Sequence, residues 1–160
     1  SAPRVLLDQT DEHHQTPIII VSPSSTDIRS ETAWESWSTP VLTFAQEQHI
    51  PYLGIGNELN KTLSSTDFKK YADHFTELVQ KIHRVSPNTK VFPILQYEWL
   101  SGNRGGLFGG KNDDRQAQWS ILENFGSADL IAFTTYPGLI YRTPTAIPTS
   151  CTDFLSSRSL

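Results

Sequence analysis

Two kinds of apolar pattern alternate along the chain. Short runs that are apolar at nearly every position, Pro17–Val21 (PIIIV), Tyr52–Gly56 (YLGIG), Lys90–Leu95 (KVFPIL) and Asp129–Tyr136 (DLIAFTTY), read as buried strands and are separated by segments of helical period. The spacing of Phe68, Tyr71, Ala72, Phe75, Leu78, Val79, Ile82 and Val85 predicts a helix with a single apolar stripe. Ser65 or Thr66 would cap its start, and the Ser86–Asn88 turn (SPN) would stop it. A second helix is predicted over Glu31–Gln48, with Trp34, Trp37, Val41, Leu42 and Ala45 inward; Pro40 must either kink it or begin a new helix. A third is predicted from about Asp114 to Phe125, capped by Asn112–Asp114, with Ala117, Ile121, Leu122 and Phe125 facing in.

Strands alternating with helices imply right-handed βαβ units and a parallel sheet covered by helices, the α/β class. The strand starts at positions 17, 52, 90 and 129 lie 35, 38 and 39 residues apart, close to the repeat of an eight-fold βα barrel, which needs about 250 residues. At 160 residues the chain would hold about four βα units, a single partial domain over 1–160 of the (β/α)8 TIM-barrel type. The alternative is an open doubly wound parallel sheet. Residues 137–160, rich in Pro, Ser and Thr, predict an irregular tail, and a first residue that is Ser and not Met suggests that upstream sequence has been left out.

Composition narrows the partners. With 37% hydrophobic and 19% charged residues the chain is of globular make-up. A net charge of −4, with no basic run longer than Lys69–Lys70, argues against nucleic acid. No apolar run approaches the roughly 20 residues that span a bilayer, so no membrane partner is expected. The single Cys151 excludes an internal disulfide framework and a multi-cysteine zinc site, and leaves the redox compartment open.

In parallel α/β sheets, ligands gather at the carboxyl ends of the strands. That rule ranks Glu58, directly after the second run, then Glu98 after the third, Asp27 after the first and Tyr136 at the end of the fourth. Asp129 and Lys90 begin their strands and belong to the opposite, stability-related end. Two carboxylates across a cleft are the equipment of glycoside hydrolysis, one donating a proton to the leaving oxygen and the other attacking the sugar or activating water. Glu58 is the best candidate for the acid. The apolar strand beneath it would raise its pKa, and the neighbouring Asn57 amide could bond a hydroxyl beside the reacting carbon. Two plainer roles are open to Glu58, capping the next helix or meeting Lys61. Trp99, Tyr97 and Tyr136 could stack on sugar rings or simply complete a core.

Rival chemistries are weaker. Gly105–Lys111 satisfies G-x-x-x-x-G-K, but Asn112 stands where a phosphate-binding loop needs Ser or Thr, and about ten residues separate it from the preceding strand. A loop over the cleft is the simpler expectation. The Asp11–His14 cluster is not the H-E-x-x-H zinc pattern, and His49, His74 and His83 lie on or near helices away from strand ends, so neither metal nor cofactor is expected. No G-x-S-x-G elbow is present, and Cys151 has no nearby basic partner.

The Gly54–Asn60 stretch (GIGNELN) resembles the end of the fourth barrel strand in the clan A retaining glycoside hydrolases, which include cellulases, mannanases and endo-galactanases. Asp129–Gly138 (DLIAFTTYPG) is similar to the sixth strand of those families. The likeness covers roughly residues 15–140, as strands three to six. It implies a TIM barrel hydrolysing β-linked oligosaccharides or polysaccharides, with Glu58 as general acid/base and Asn57 binding the substrate 2-hydroxyl. It further implies Tyr136 facing the cleft and an extracellular location; Glu98 and Trp99 are expected near the substrate from their place just after the third run. The nucleophilic Glu of these families ends strand seven, and no such strand follows here. Retention needs carboxyl groups about 5–5.5 Å apart, so a partner within the chain would have to be Glu98. The expectation is a chain that hydrolyses weakly or not at all, and whose sheet edges favour self-association.

Overall fold

Among the described residues, four strands, β1 (Ile18–Val21), β2 (Tyr52–Asn57), β3 (Lys90–Gln96) and β4 (Ala132–Thr134), lie side by side in chain order, every neighbouring pair parallel. The protein is therefore α/β with an all-parallel sheet. The computed structural model describes residues 7, 9, 10, 12–102 and 117–136. The chain divides into two compact units, one of Ser1–Gln96 with Trp119–Thr134, the other of Tyr97–Gln118 with Thr135–Leu160. The first holds the sheet and the helices α1 (Ser25–Arg29), α2 (Glu31–Gln48), α3 (Leu59–Thr62) and α4 (Ser65–Val85), with a 3-10 helix at Trp119–Phe125. The second begins with the short helix α5 (Tyr97–Leu100).

Helix α4 buries Phe68, Tyr71, Ala72, Phe75, Leu78, Val79 and Ile82 against Leu53, Ile55, Val91 and Leu95 of the central strands. The predicted stripe is the one that packs, although Val85 is only half-buried. Its cap is Ser64, one residue before the predicted pair: the Ser64 hydroxyl accepts the Asp67 N–H at 3.1 Å. Asp67 also takes both the Nε and Nη2 protons of Arg29, at 3.1 and 2.7 Å, which ties α1 to the first turn of α4. Helix α2 runs unbroken through Pro40, so no new helix starts there. Pro40 is exposed, and hydroxyls bond carbonyls on both sides of it, Thr39 to Glu35 O at 2.8 Å and Thr43 to Thr39 O at 3.1 Å. Those hydroxyls are extra local donors in a stretch where the proline has none to give, although neither bonds the Ser36 carbonyl that an N–H at position 40 would serve.

Three expectations need correction. The third helix is a 3-10 helix that begins at Trp119, and Ala117 is exposed. The Ile121 carbonyl, which an α-helix would give to the Phe125 N–H, is taken by the Asn124 amide at 3.0 Å, and Gly126 ends the element. Phe125 still fills its place, with its ring centroid 5.2–5.9 Å from those of Phe75, Tyr71 and Phe68. Strand β4 is only Ala132–Thr134, because Asp129 turns to the start of β3 and Leu130 is exposed. Strand β1 is not buried on both faces: Ile19 and Val21 pack on the core while Ile18 and Ile20 are 61% and 52% exposed. The Asn112–Asp114 cap, the Gly105–Lys111 motif, Cys151 and the tail at 137–160 lie outside the described residues.

At the amino ends of β3 and β4, Asp129 acts as a clip. Its carboxylate accepts the Val91 N–H at 2.8 Å, His83 Nε2 lies at 2.9 Å and the Lys90 ammonium at 3.2 Å. Burial alone would push this carboxyl up, but the Val91 N–H, His83 and Lys90 outweigh it and hold the group below the usual carboxylate range. We predict that Asp129→Asn lowers stability by about 1–3 kcal/mol near neutral pH. A carboxyl with a depressed folded-state pKa stabilises the fold above its unfolded value of about 3.9 and loses that contribution as pH falls through the folded value. Urea unfolding of both proteins should show the gap widest near neutrality and closing below about pH 4. An unchanged gap at low pH would contradict the role given to Asp129.

Candidate functional site at the end of the second strand

Strand β2 does not simply stop at Glu58; it is bent to present it. The register runs Gly54 to Phe92 and then Asn57 to Ile94, so β2 uses one residue more than β3 over that interval, a bulge. Pro93, which has no N–H to contribute, occupies the stretch of β3 opposite it, one of the few settings in which a central strand tolerates proline. The bulge turns at Gly56, with φ of +80°. A Cβ there would lie 2.6 Å from the Tyr71 hydroxyl and 2.8 Å from Leu59 Cδ1, so both conformation and space require glycine. The Ile55 carbonyl at the bulge is satisfied from α4, where the buried Tyr71 hydroxyl donates to it at 2.6 Å. Burial pushes the Tyr71 phenol far up, so it remains a donor at any ordinary pH.

Glu58 itself has φ 55°, ψ 29°, a left-handed conformation that a residue with a side chain adopts at a cost of roughly 1–2 kcal/mol. The turn is fastened on both sides. The Glu58 N–H donates to Ile94 O at 2.9 Å. Asn60, buried, bonds the Gln96 backbone twice, its Nδ2 donating to the carbonyl at 3.1 Å and its Oδ1 accepting the N–H at 2.9 Å. Asn60 therefore copies a strand partner for the last residue of β3. Of the two amides flanking Glu58, this one is structural.

The Glu58 carboxylate is about one-sixth exposed, at 17%. Its Oε1 accepts the Thr134 hydroxyl at 2.6 Å, and Oε2 lies 3.9 Å from the Lys61 ammonium. Thr134 is the last residue of β4 and pairs in register with Gln96, so the Glu58 side chain reaches from β2 past the end of β3. A hydroxyl and an ammonium thus accompany the apolar strand expected around it. Glu58 occupies the N-cap position of α3 but makes no side-chain cap bond, which leaves its carboxylate available to other groups. Asn57 is exposed, its N–H donates to the Ser22 hydroxyl at 3.2 Å, and its side chain makes no hydrogen bond among the described residues. Residues at or just past the carboxyl ends of β1, β2 and β4 are thus gathered at one end of the sheet.

In the second unit, Glu98 is buried at 4% exposure in α5. Its Oε1 accepts the Thr135 hydroxyl and the Tyr136 N–H, both at 2.6 Å. The structure therefore joins Glu98 to Tyr136, through the backbone of Tyr136, while the Tyr136 side chain belongs to a residue 42% exposed. Trp99 and Tyr97 share α5 with Glu98 and are half-buried.

Other candidates are engaged elsewhere. Asp27 closes a capping box, its Oδ2 accepting the Ser24 N–H at 2.7 Å and hydroxyl at 2.6 Å, and these bonds hold its carboxyl below the ordinary range. His74 stacks on Trp34 with centroids 4.6 Å apart, His83 joins the Asp129 clip, and His49 is the left-handed cap of α2. Sequence reasoning missed Thr134, Thr135 and Asn60. The threonines carried a usable signal, standing at the end of an apolar run, whereas nothing in the motif separates the buried Asn60 from the exposed Asn57. No protein-family model matches the chain, and no curated protein matches it.

We predict that Asn60→Ala, which leaves the buried Gln96 N–H and carbonyl without these partners, costs about 2–5 kcal/mol. Chemical denaturation measures the loss, and hydrogen exchange should show the Gln96 amide losing protection. A change below roughly 0.5 kcal/mol, the usual size of a surface substitution, would rule out the clamp.

Proposed function

We propose that the chain is a glycoside hydrolase-like domain, an incomplete (β/α)8 barrel in architecture, with Glu58 as general acid/base in the cleavage of β-linked glycosidic bonds. The observation that carries this is the carboxylate at the carboxyl end of β2, bonded at 2.6 Å by Thr134 from the end of β4, with the exposed Asn57 amide beside it. The described strands run β1-β2-β3-β4 without reversal, the order a barrel requires and one that a stretch of a doubly wound sheet on one side of its switch point also has. The resemblance of Gly54–Asn60 to the fourth strand of clan A enzymes agrees with that placement.

Protonated Glu58 gives its proton to the glycosidic oxygen as the bond to the anomeric carbon breaks; as the carboxylate it then takes a proton from the incoming water. Asn57 would bond the hydroxyl next to the reacting carbon. Retention further needs a carboxylate nucleophile. In the sheet-bearing unit Asp27, Asp67 and Asp129 are held in a cap, an ion pair and the strand clip, so none of these three is offered as that nucleophile, and weak turnover is the accompanying expectation. The exposed Ile18 and Ile20 support self-association as an accompanying expectation.

Hydrolysis of β-linked gluco-, manno- and galacto-oligosaccharides, with and without formate as an external nucleophile, tests the proposal. Formate-assisted turnover should fall on the order of 10²–10⁴-fold in Glu58→Gln. Turnover unchanged by the substitution, or absent even with formate, would overturn it. The exposed Tyr136 favours one second reading, carbohydrate binding without hydrolysis. Oligosaccharide binding measured by calorimetry would then survive Glu58→Gln and fall in Tyr136→Ala.

A further inference from the structure

The geometry points to Thr134 as a positioning residue that assigns different tasks to the two oxygens of Glu58. The inference rests on the proposed acid/base role of Glu58. Thr134 Oγ1 donates to Oε1 at 2.6 Å, whereas Oε2 has, among the described residues, the Lys61 ammonium at 3.9 Å. A carboxyl protonated on Oε2 still offers Oε1 as an acceptor, so the threonine bond persists in both charge states. Protonation on Oε1 would force the hydroxyl to turn and accept instead. Oε2 is therefore the oxygen that gives up and regains the proton, and Oε1 is the anchored one. Lys61 cannot replace this function, because its ammonium lies toward the other oxygen and at 3.9 Å is beyond hydrogen-bond reach.

The fold makes the anchor stiff. Thr134 is β-branched, which limits its χ1 freedom, and it ends β4 in register with Gln96. Gln96 is in turn bonded twice by Asn60, two residues from Glu58 in sequence. Carboxylate and hydroxyl thus depend on a common backbone reference, the last residue of β3.

Thr134→Val keeps the shape and removes the donor; Thr134→Ser keeps the donor and removes the branch. With the full chain and formate-assisted hydrolysis of a β-linked oligosaccharide, Thr134→Val should lower kcat on the order of 10- to 100-fold, the usual cost of a misplaced catalytic group, and leave KM within about two-fold. Thr134→Ser should restore most of kcat. Crystal structures of wild type and Thr134→Val give a second readout independent of activity, with the Glu58 carboxylate expected to leave its position in the variant. Wild-type kcat in Thr134→Val, an equal defect in Thr134→Ser, or an unmoved carboxylate would each overturn the assignment. If Glu58→Gln proves catalytically silent, the acid/base reading fails and the division of tasks falls with it; a carboxylate that still moves in Thr134→Val then leaves the threonine as an anchor alone.

Discussion

One extra residue in β2 governs the candidate site. A regular parallel ladder would carry Ile55, Gly56 and Asn57 straight along β3 and leave the following side chain to be directed by the strand's own twist. The bulge shifts that register, and three features make it stable. Glycine supplies the positive φ, the buried Tyr71 hydroxyl takes the displaced Ile55 carbonyl, and Pro93 across from it asks for no ladder bond. Tyr71 gives the Ile55 carbonyl a buried donor at the bulge. A side chain at position 56 would collide with that same tyrosine.

Beyond the bulge the left-handed Glu58 is a local cost, held by its N–H on Ile94 O and by Asn60 on Gln96. Strain of this kind at a strand end, kept in place by the surrounding hydrogen bonds, is a common feature of residues that do chemistry. Helix α4 connects the site to stability: it buries its stripe against β2 and β3, supplies Tyr71, and through His83 meets the Asp129 clip at the opposite end of the sheet. The strands are thus braced at both ends, one polar end serving the fold and the other presenting Glu58.

Much of this was legible in the residue pattern, for identifiable reasons. Helices α2 and α4 follow from their apolar stripes, and the bounds of α2 match because Ser30 caps it and His49 ends it. The middle strands read clearly because both their faces are buried, while β1 read as buried on both sides because Ile18 and Ile20 are apolar although exposed. The 3-10 helix and the short β4 are accompanied by side-chain bonds, between Asn124 and Ile121 and between Asp129 and Val91, which periodicity does not report. Glu58 ranks first by its place at a strand end, and it does directly follow β2. Its partner Thr134 was not singled out, since that pairing depends on two strands separated by a third, a relation visible only once the register is known.

The central claim is that the end of β2 holds Glu58 as the proton donor to a departing sugar oxygen. The most direct test is the dependence of rate on leaving group, measured for wild type and Glu58→Gln on aryl β-glycosides of graded phenol acidity with formate present. Poor leaving groups need the proton and good ones do not, so the deficit of Glu58→Gln should grow steadily as the phenol becomes less acidic. A deficit of the same size across the whole series, or none at all, would contradict the account.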